Sequence, residues 1–345
     1  MTTLLRAATL LLAGTATFGL TARVGSAAEV PRSMRAMAID KAGDPLTLHT
    51  LPVPKPDPNE VLVEVHVAAV AIWDVEVQRH PEIITHSRLP LVLGTDGAGV
   101  VVTLGSQVHS FKVGDRVYGG GWDDPHGGFY AEYVAVPEDR LGHLPPGLSL
   151  SDAAAIYATG ATALQGLDDT LQLKSGQTLI IHGAAGGVGS MAIQFAKQRG
   201  ARVLATASGE DSLAFVKKLG ADAAVDGRQG DIAASARQFA PAGVDAVLGL
   251  AGGEALERCI DSVRPAGRVA FPYGVQPRPK ARTGVSVVGY DLTYGAEAFE
   301  RFNRAVGAAR LQIPIAAEYP LAEAQQAHER QAAGHVLGKI LLRVR

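Results

Sequence analysis

Apolar and polar residues alternate along VLVEVHVAAV (61–70), the period-two pattern of a half-buried strand. GVVVTLG (99–105), DRVYG (115–119) and AEYVAVP (131–137) are short β-branched runs bounded by Gly, Asp or Pro. Their spacing predicts a small sheet or barrel over residues 34–150. The Pro-rich LPVPKPDP (51–58) reads as a turn or extended connector, because proline cannot donate to a ladder. From about residue 160 the rhythm changes to strand–helix alternation. TLIIHG (178–183), RVLATA (202–207), ADAAVD (221–226), VDAVLGL (244–250), GRVAFPYG (267–274) and VSVVGY (285–290) read as strands. GVGSMAIQFAKQRG (187–200) and DSLAFVKKLG (211–220) carry apolar residues at helical spacing, and Gly200 suits a C-cap. Strands separated by helices of this length require right-handed crossovers and a parallel sheet. An α/β, doubly wound domain is therefore predicted over 178–290. The tail has a helical stretch, AEAFERFNRAVGAAR, and an apolar run, KILLRV, that can return to the first domain.

The sharpest local signal is HGAAGGVGS (182–190), which leaves a predicted strand and opens a predicted helix. Gly183 serves the sharp exit from the strand. Gly186 and Gly187 let a pyrophosphate approach the backbone, and Gly189 lets the helix lie close on the strand. Ala184, Ala185 and Val188 complete the loop, whose N–H groups and helix dipole favour phosphate. A dinucleotide is the expected ligand, against a purely structural turn. The second strand ends at Thr206, Ala207 and Ser208 without the acid that usually holds the ribose 2′-OH of NAD. Glu210 and Asp211 come later, where a helix start suits anions. Ser208 can donate to a 2′-phosphate, although no Arg or Lys stands in that turn. NADP(H) is preferred over NAD(H).

Composition narrows the picture further. Of 345 residues 40 are Gly, roughly 12% against a usual ~7%. With a formal net charge of −2, nothing points to nucleic acid or an anionic membrane. The single Cys, Cys259, excludes an internal disulfide, a Cys₄ zinc site and an iron–sulfur cluster. It lies in a predicted helix and reads as a buried small hydrophobe. The first 33 residues have a basic start, a short apolar core and small residues at Ser26 and Ala28. They read either as a secretory signal or as an extension ahead of a start at Met34; the run is too short and broken for a membrane span.

Four stretches carry a resemblance that covers about Met34 to Arg345. They are GTDGAGVVVTLGSQVHSFKVGDRVYG (94–119), GGFYAEYVAVPEDRL (127–141), AAGGVG (184–189) and GKILLRV (338–344). Together they resemble the medium-chain dehydrogenase/reductase superfamily, in its zinc-independent quinone oxidoreductase-like branch. The resemblance implies a GroES-like β-rich catalytic domain with an inserted Rossmann domain. Its divisions would be an extension (1–33), the first catalytic part (34–159), the Rossmann domain (160–295) and a return to the catalytic domain (296–345). It implies a cofactor in the cleft between domains and a homodimer. Thr162, Leu250 and the Tyr273–Gly274 turn become candidate nicotinamide neighbours, with ordinary packing as the alternative for each.

Zinc-dependent members hold their metal with Cys and His at positions that read here as Ala71 and Thr95, in AIWD (71–74) and GTD (94–96). Neither can ligate as a thiolate or imidazole would, so no zinc is expected. Without a Lewis acid, hydride addition to a quinone or α,β-unsaturated carbonyl is favoured over alcohol oxidation. Of the branch's Asn-Pro-x-Asp pattern and following Tyr, only Asp74 is present. Asp74 can orient substrate or ribose, or close its loop through backbone N–H groups. Trp73 is a stacking wall or core, and Tyr130 and Tyr157 are proton donors or packing. The competing readings are a zinc-independent alcohol or aldehyde oxidoreductase, and an NADPH-binding sensor or structural protein with little turnover. NADPH supply favours a cytoplasmic location; a cleaved signal would make the protein exported.

Overall fold

In the computed structural model, residues 30–84, 88–121, 127–308 and 311–345 are described. The signal-like reading of residues 1–33 lies outside them up to residue 29, as do the last two residues of AEAFERFNRAVGAAR. The chain begins with β1 (Ser33–Ile39), β2 (Thr47–Pro52), β3 (Glu60–Val70), α1 (Ile72–Arg79) and β4 (Leu91–Val92). It continues through β5 (Asp96–Leu104), β6 (Arg116–Gly120), β7 (Tyr133–Pro137) and β8 (Leu141–His143). β1 lies antiparallel between β2 and β4. β3 pairs antiparallel with β5 and β7. Its sequence alternates, yet only Glu64 and His66 stay half-buried while the other positions are buried. Helices from later in the chain pack on β3 and leave little of either face to water.

α2 (Leu150–Gln165) follows, starting at Ser149, whose hydroxyl accepts from the Asp152 N–H while the Asp152 carboxylate accepts from the Ser149 N–H. This reciprocal cap fixes the helix start. The predicted division at 159/160 falls inside this one helix. α2 is buried along most of its length and rich in Ala, so it shows no amphipathic stripe.

The next ten elements alternate strand and helix and then close on two successive strands. They are β9 (Thr178–His182), α3 (Gly187–Gln198), β10 (Arg202–Ala207), α4 (Glu210–Lys218) and β11 (Ala223–Asp226), then α5 (Ile232–Phe239), β12 (Val244–Gly249), α6 (Glu254–Ile260), β13 (Val263–Pro272) and β14 (Ser286–Tyr290). The six strands form a parallel sheet of order β11-β10-β9-β12-β13-β14. The order reverses between β9 and β12, which opens a crevice at the carboxyl ends of these strands.

The tail consists of α7 (Ala296–Gly307), β15 (Ile315–Pro320), α8 (Ala324–Ala332) and β16 (Lys339–Arg343). β16 lies antiparallel on β3, with Ile340 opposite Val70, and parallel to β15. The tail thus closes the first sheet after the parallel sheet is complete. One continuous core spans both sheets: Ala153, Ile156 and Leu164 of α2 pack with Val67 and Tyr118 on one side and Leu179, Ile181 and Phe195 on the other. No helix of the described residues is long and apolar enough to cross a membrane.

Candidate cofactor cleft and active site

At the carboxyl ends of β9 and β10 lies a cavity of about 510 Å³. One wall is the glycine loop, with Gly183, Ala185, Gly186 and Gly187. Gly183 has φ +80, a left-handed backbone that turns the chain out of β9. A Cβ on Gly189 would meet the Gly183 carbonyl oxygen at 2.5 Å, so the close start of α3 requires glycine there. Gly186 is the N-cap of α3, and a Cβ there would meet nothing nearer than 3.6 Å, because that side opens on the cavity. The N–H groups of Gly187, Val188 and Gly189 occupy the first turn, where a helix has no internal acceptor for them. They form a ready anion site. Ala184 is fully buried and ties the loop to the neighbouring strand through its N–H and the Thr206 carbonyl.

The second wall comes from the tail. Gln331 and residues 334–338 face the glycine loop, and the Gly338 N–H donates to the Ala185 carbonyl at 3.2 Å. Sequence reasoning missed this wall, because β16 carries it back from the end of the chain. It also missed His182, the last residue of β9. His182 is held by Thr206 (Nδ1 to Oγ1, 2.7 Å), and burial pushes its imidazole down to about 4. The neutral ring is a polar lining without charge. Cys259 lies beneath it, Sγ to Nδ1 3.9 Å, and burial pushes the thiol up to about 12. A thiol so buried and so weakly acidic is inert.

Ser208 lines the same cavity beyond β10. Arg228, from the turn after β11, lines it too, and its guanidinium makes no hydrogen bond or ion pair with the described residues. Asp226 stands nearby, but its carboxylate accepts the N–H groups of Gly209, Arg228 and Gln229 at 2.7–2.9 Å. Those bonds hold its carboxyl below the usual range.

The remaining candidate cofactor neighbours are placed differently. Thr162 is half-buried on α2, and its carbonyl accepts from the Tyr290 hydroxyl at 3.0 Å. The Leu250 N–H donates to the His182 carbonyl at 3.0 Å. Tyr273 is 44% exposed beneath the Arg278 guanidinium, beside Gly274 at the end of β13. None of these four lines the cavity, whereas Ala251 and Gly252, just past Leu250, do.

The positions that correspond to zinc ligands are closed by protein contacts. Asp74, in the first turn of α1, is 1% exposed. One carboxylate oxygen accepts the Ala71 N–H at 2.7 Å and the other the Thr95 N–H at 2.9 Å. Asp74 therefore ties these two positions together. Burial, and secondarily the charge on Asp96, push its carboxyl up to about 6. The Thr95 hydroxyl donates to Asp96 at 3.3 Å, and the Lys339 ammonium of β16 lies 3.5 Å from the other Asp96 oxygen. Tyr130 has no exposure; its hydroxyl lies 3.3 Å from Asp74 and 3.1 Å from His328 Nε2. His328 Nδ1 in turn meets Gln78 at 2.7 Å. This is a satisfied buried network, and burial drives the Tyr130 hydroxyl well above its ordinary range. Tyr157 is likewise enclosed and stacks on Phe299 at 4.7 Å. Trp73 is half-buried on α1. A cavity of about 20 Å³, room for one water, lies between Asp74, Thr95 and the 127–128 glycines.

Residues 57–146 match the family model of the alcohol dehydrogenase GroES-like domain, and 187–298 that of the zinc-binding dehydrogenase. Alcohol dehydrogenase 1 of Emericella nidulans is 29% identical over 353 residues, covering 91% of this chain and 98% of its own. The quinone oxidoreductase of Sus scrofa is 31% identical over 313 residues, covering 86% of this chain and 93% of its own. A mycobacterial protein solved with NADPH superposes with a TM-score of 0.80 at 26% identity, over 90% of this chain and 100% of its own. With a parallel six-stranded sheet inserted before β16 rejoins β3, and with these likenesses over most of its length, the chain belongs to the medium-chain dehydrogenase/reductase superfamily of oxidoreductases, in its quinone oxidoreductase-like branch.

Proposed function

We propose that this chain is a zinc-independent, NADPH-dependent reductase that passes hydride to a quinone or an α,β-unsaturated carbonyl. One observation carries the reading: the donor set at the family's metal position does not fit zinc. Ala71 offers no donor atom, the Thr95 hydroxyl is engaged with Asp96, and Lys339 already supplies the cation beside Asp96. A Lewis acid to hold an alkoxide is then missing from the residues themselves, and a conjugated acceptor that spreads its own charge is the substrate class that suits.

The cofactor fits. The first-turn N–H groups of α3 and the open side of Gly186 receive the pyrophosphate. Ser208 and Arg228 stand at the end of β10 and the turn after β11, where a 2′-phosphate belongs, and Asp226, turned to three backbone N–H groups, does not line the cavity. The likeness to a protein solved with NADPH supports the same choice. Thr162, Leu250, Tyr273 and Gly274 lie toward the nicotinamide end in this reading. Bound NADPH supplies the hydride. The chain orients both partners and keeps the cleft dry. Asp74 acts as a positioning residue: it fixes the 71–74 and 94–95 turns against each other, and Tyr130 and His328 hold it. A side chain or a water provides the proton that completes reduction. Because NADPH is a cytoplasmic metabolite, the reaction belongs in the cytoplasm.

The test is NADPH oxidation by the purified chain against a panel of quinones and enones, with metal analysis of the same sample. Turnover that persists in chelator, on zinc-free protein, supports the proposal. Turnover that tracks bound zinc, or NADPH binding with no acceptor reduced, overturns it. Alcohol-dependent NADP⁺ reduction in chelator would favour the zinc-independent alcohol oxidoreductase instead.

A further inference from the structure

His335 stands out in the tail wall of the cleft. It has φ +53, a left-handed backbone that non-glycine residues seldom adopt. Two hydrogen bonds hold it there: Arg330 donates to the Gly334 carbonyl at 2.8 Å and to the His335 carbonyl at 3.0 Å. Residues held in that conformation cluster at ligand clamps. The backbone aims the imidazole across the cavity. Its Cε1 lies 3.8 Å from where a Cβ on Gly209 would sit, beside Ser208 at the end of β10. Its Nε2 meets the Asp211 carboxylate of α4 at 2.8 Å. Both side chains are about half exposed, 51% and 59%, so no packing requires the pair. Since the acceptor is a carboxylate, Nε2 carries the proton and donates.

The groups around this corner are Ser208, Arg228, Asp211 and His335. Three can donate to an anion, and they come from both walls of the cleft. Asp211 stands as a placeholder, an acidic oxygen bound where a stronger anion can take over. We propose that His335 is a specificity-determining residue: it turns from Asp211 to the cofactor's 2′-phosphate, so that NADPH, but not NADH, is gripped by the tail as well as by the parallel-sheet domain. The proposal rests on the NADPH reading above and adds a residue to it from the opposite side of the cleft. Its consequence is that the 2′-phosphate, remote from the chemistry, ties the two walls together.

The test measures binding of NADPH and NADH to the full chain by cofactor fluorescence, with 2′,5′-ADP and 5′-AMP as competitors. His335→Asn tolerates the left-handed backbone but cannot reach as far as Nε2. It should weaken NADPH and 2′,5′-ADP about tenfold, the loss of one charge-assisted bond, and change NADH and 5′-AMP less than about twofold. His335→Gln keeps an N–H donor near the Nε2 position and should recover most of the loss. Equal weakening of NADPH and NADH, or no weakening of NADPH by His335→Asn, overturns the proposal. A wild type that binds NADPH over NADH while His335→Asn changes nothing sinks this proposal alone. A wild type that prefers NADH, or binds neither, removes the NADPH reading with it.

Discussion

Lys339 and Asp96 form an ion pair of 3.5 Å between β16 and β5, with side chains 6% and 1% exposed. β3 lies between those strands, so the pair joins the returning tail to the first sheet beside the turn at Thr95. Burial pushes the Asp96 carboxyl up, and Lys339 opposes that shift. Removing one partner of a buried pair leaves an uncompensated charge and costs about 3–5 kcal/mol. Lys339→Met should therefore lower stability to urea by that amount. The double variant Asp96→Asn/Lys339→Met should recover most of it. A single variant as stable as wild type would show that the pair carries no net load.

Asp74 should make stability depend on pH. Its carboxyl is pushed up to about 6 in the folded chain, against about 3.9 when unfolded. Between these values the folded chain keeps a proton that the unfolded chain releases. Stability contributed by this group is thus full below pH 4, falls as pH rises to 6, and is level above. The loss is on the order of 2–3 kcal/mol. Asp74→Asn cannot ionise, so its stability gap to wild type should be widest at pH 4 and narrow by that amount at pH 7. Urea titrations at the two pH values decide; a gap that does not change with pH means an ordinary carboxyl.

Two glycines of the same loop should fail in different ways. Gly189→Ala puts a Cβ 2.5 Å from the Gly183 carbonyl and 2.6 Å from Ala184 backbone, so α3 must shift. Such overpacking costs about 1–3 kcal/mol and should lower the melting temperature along with cofactor affinity. Gly186→Ala meets nothing within 3.6 Å and should melt like wild type. Its methyl group enters the cavity and should weaken NADPH about tenfold or more, a steric loss read by fluorescence titration. If Gly186→Ala binds NADPH normally, the pyrophosphate does not lie against that residue.

The parallel sheet was readable because its central strands, β9, β10 and β12, are buried on both faces and read as apolar runs between turns. The glycine loop was readable because two of its roles are backbone requirements, at Gly183 and Gly189, that only one residue type satisfies. α2 escaped because burial on most of its faces erases the stripe that marks a helix. The far wall of the cleft escaped for a topological reason: Gln331 and His335 reach it only because β16 returns to β3. Arg228 escaped because it stands in the turn after β11 rather than after β10, and that next parallel strand delivers its own turn to the same crevice. From its sequence Tyr130 reads as a proton donor or as packing; what decides its surroundings, His328, lies on α8 and carries no local signal.

β14 gives the last test. It is the outer strand of the six-stranded sheet, and Val288 on it is 44% exposed. Tyr273, whose N–H donates to the Tyr290 carbonyl at the end of β14, is equally exposed. A strand edge with apolar side chains and unpaired backbone groups is a template for another strand, and soluble proteins usually blunt such edges with charge. No Lys, Arg, Asp or Glu lies within Ser286–Tyr290. A second copy of β14, related by a two-fold axis, can pair antiparallel and make one sheet across two chains. The chain should therefore run as a dimer in light scattering. Val288→Lys places a charge in the centre of that contact and should shift the protein toward monomer, while leaving NADPH affinity within about twofold because no residue of β14 lines the cleft. A wild-type monomer, or a Val288→Lys dimer as tight as wild type, would place the interface elsewhere or nowhere on this edge.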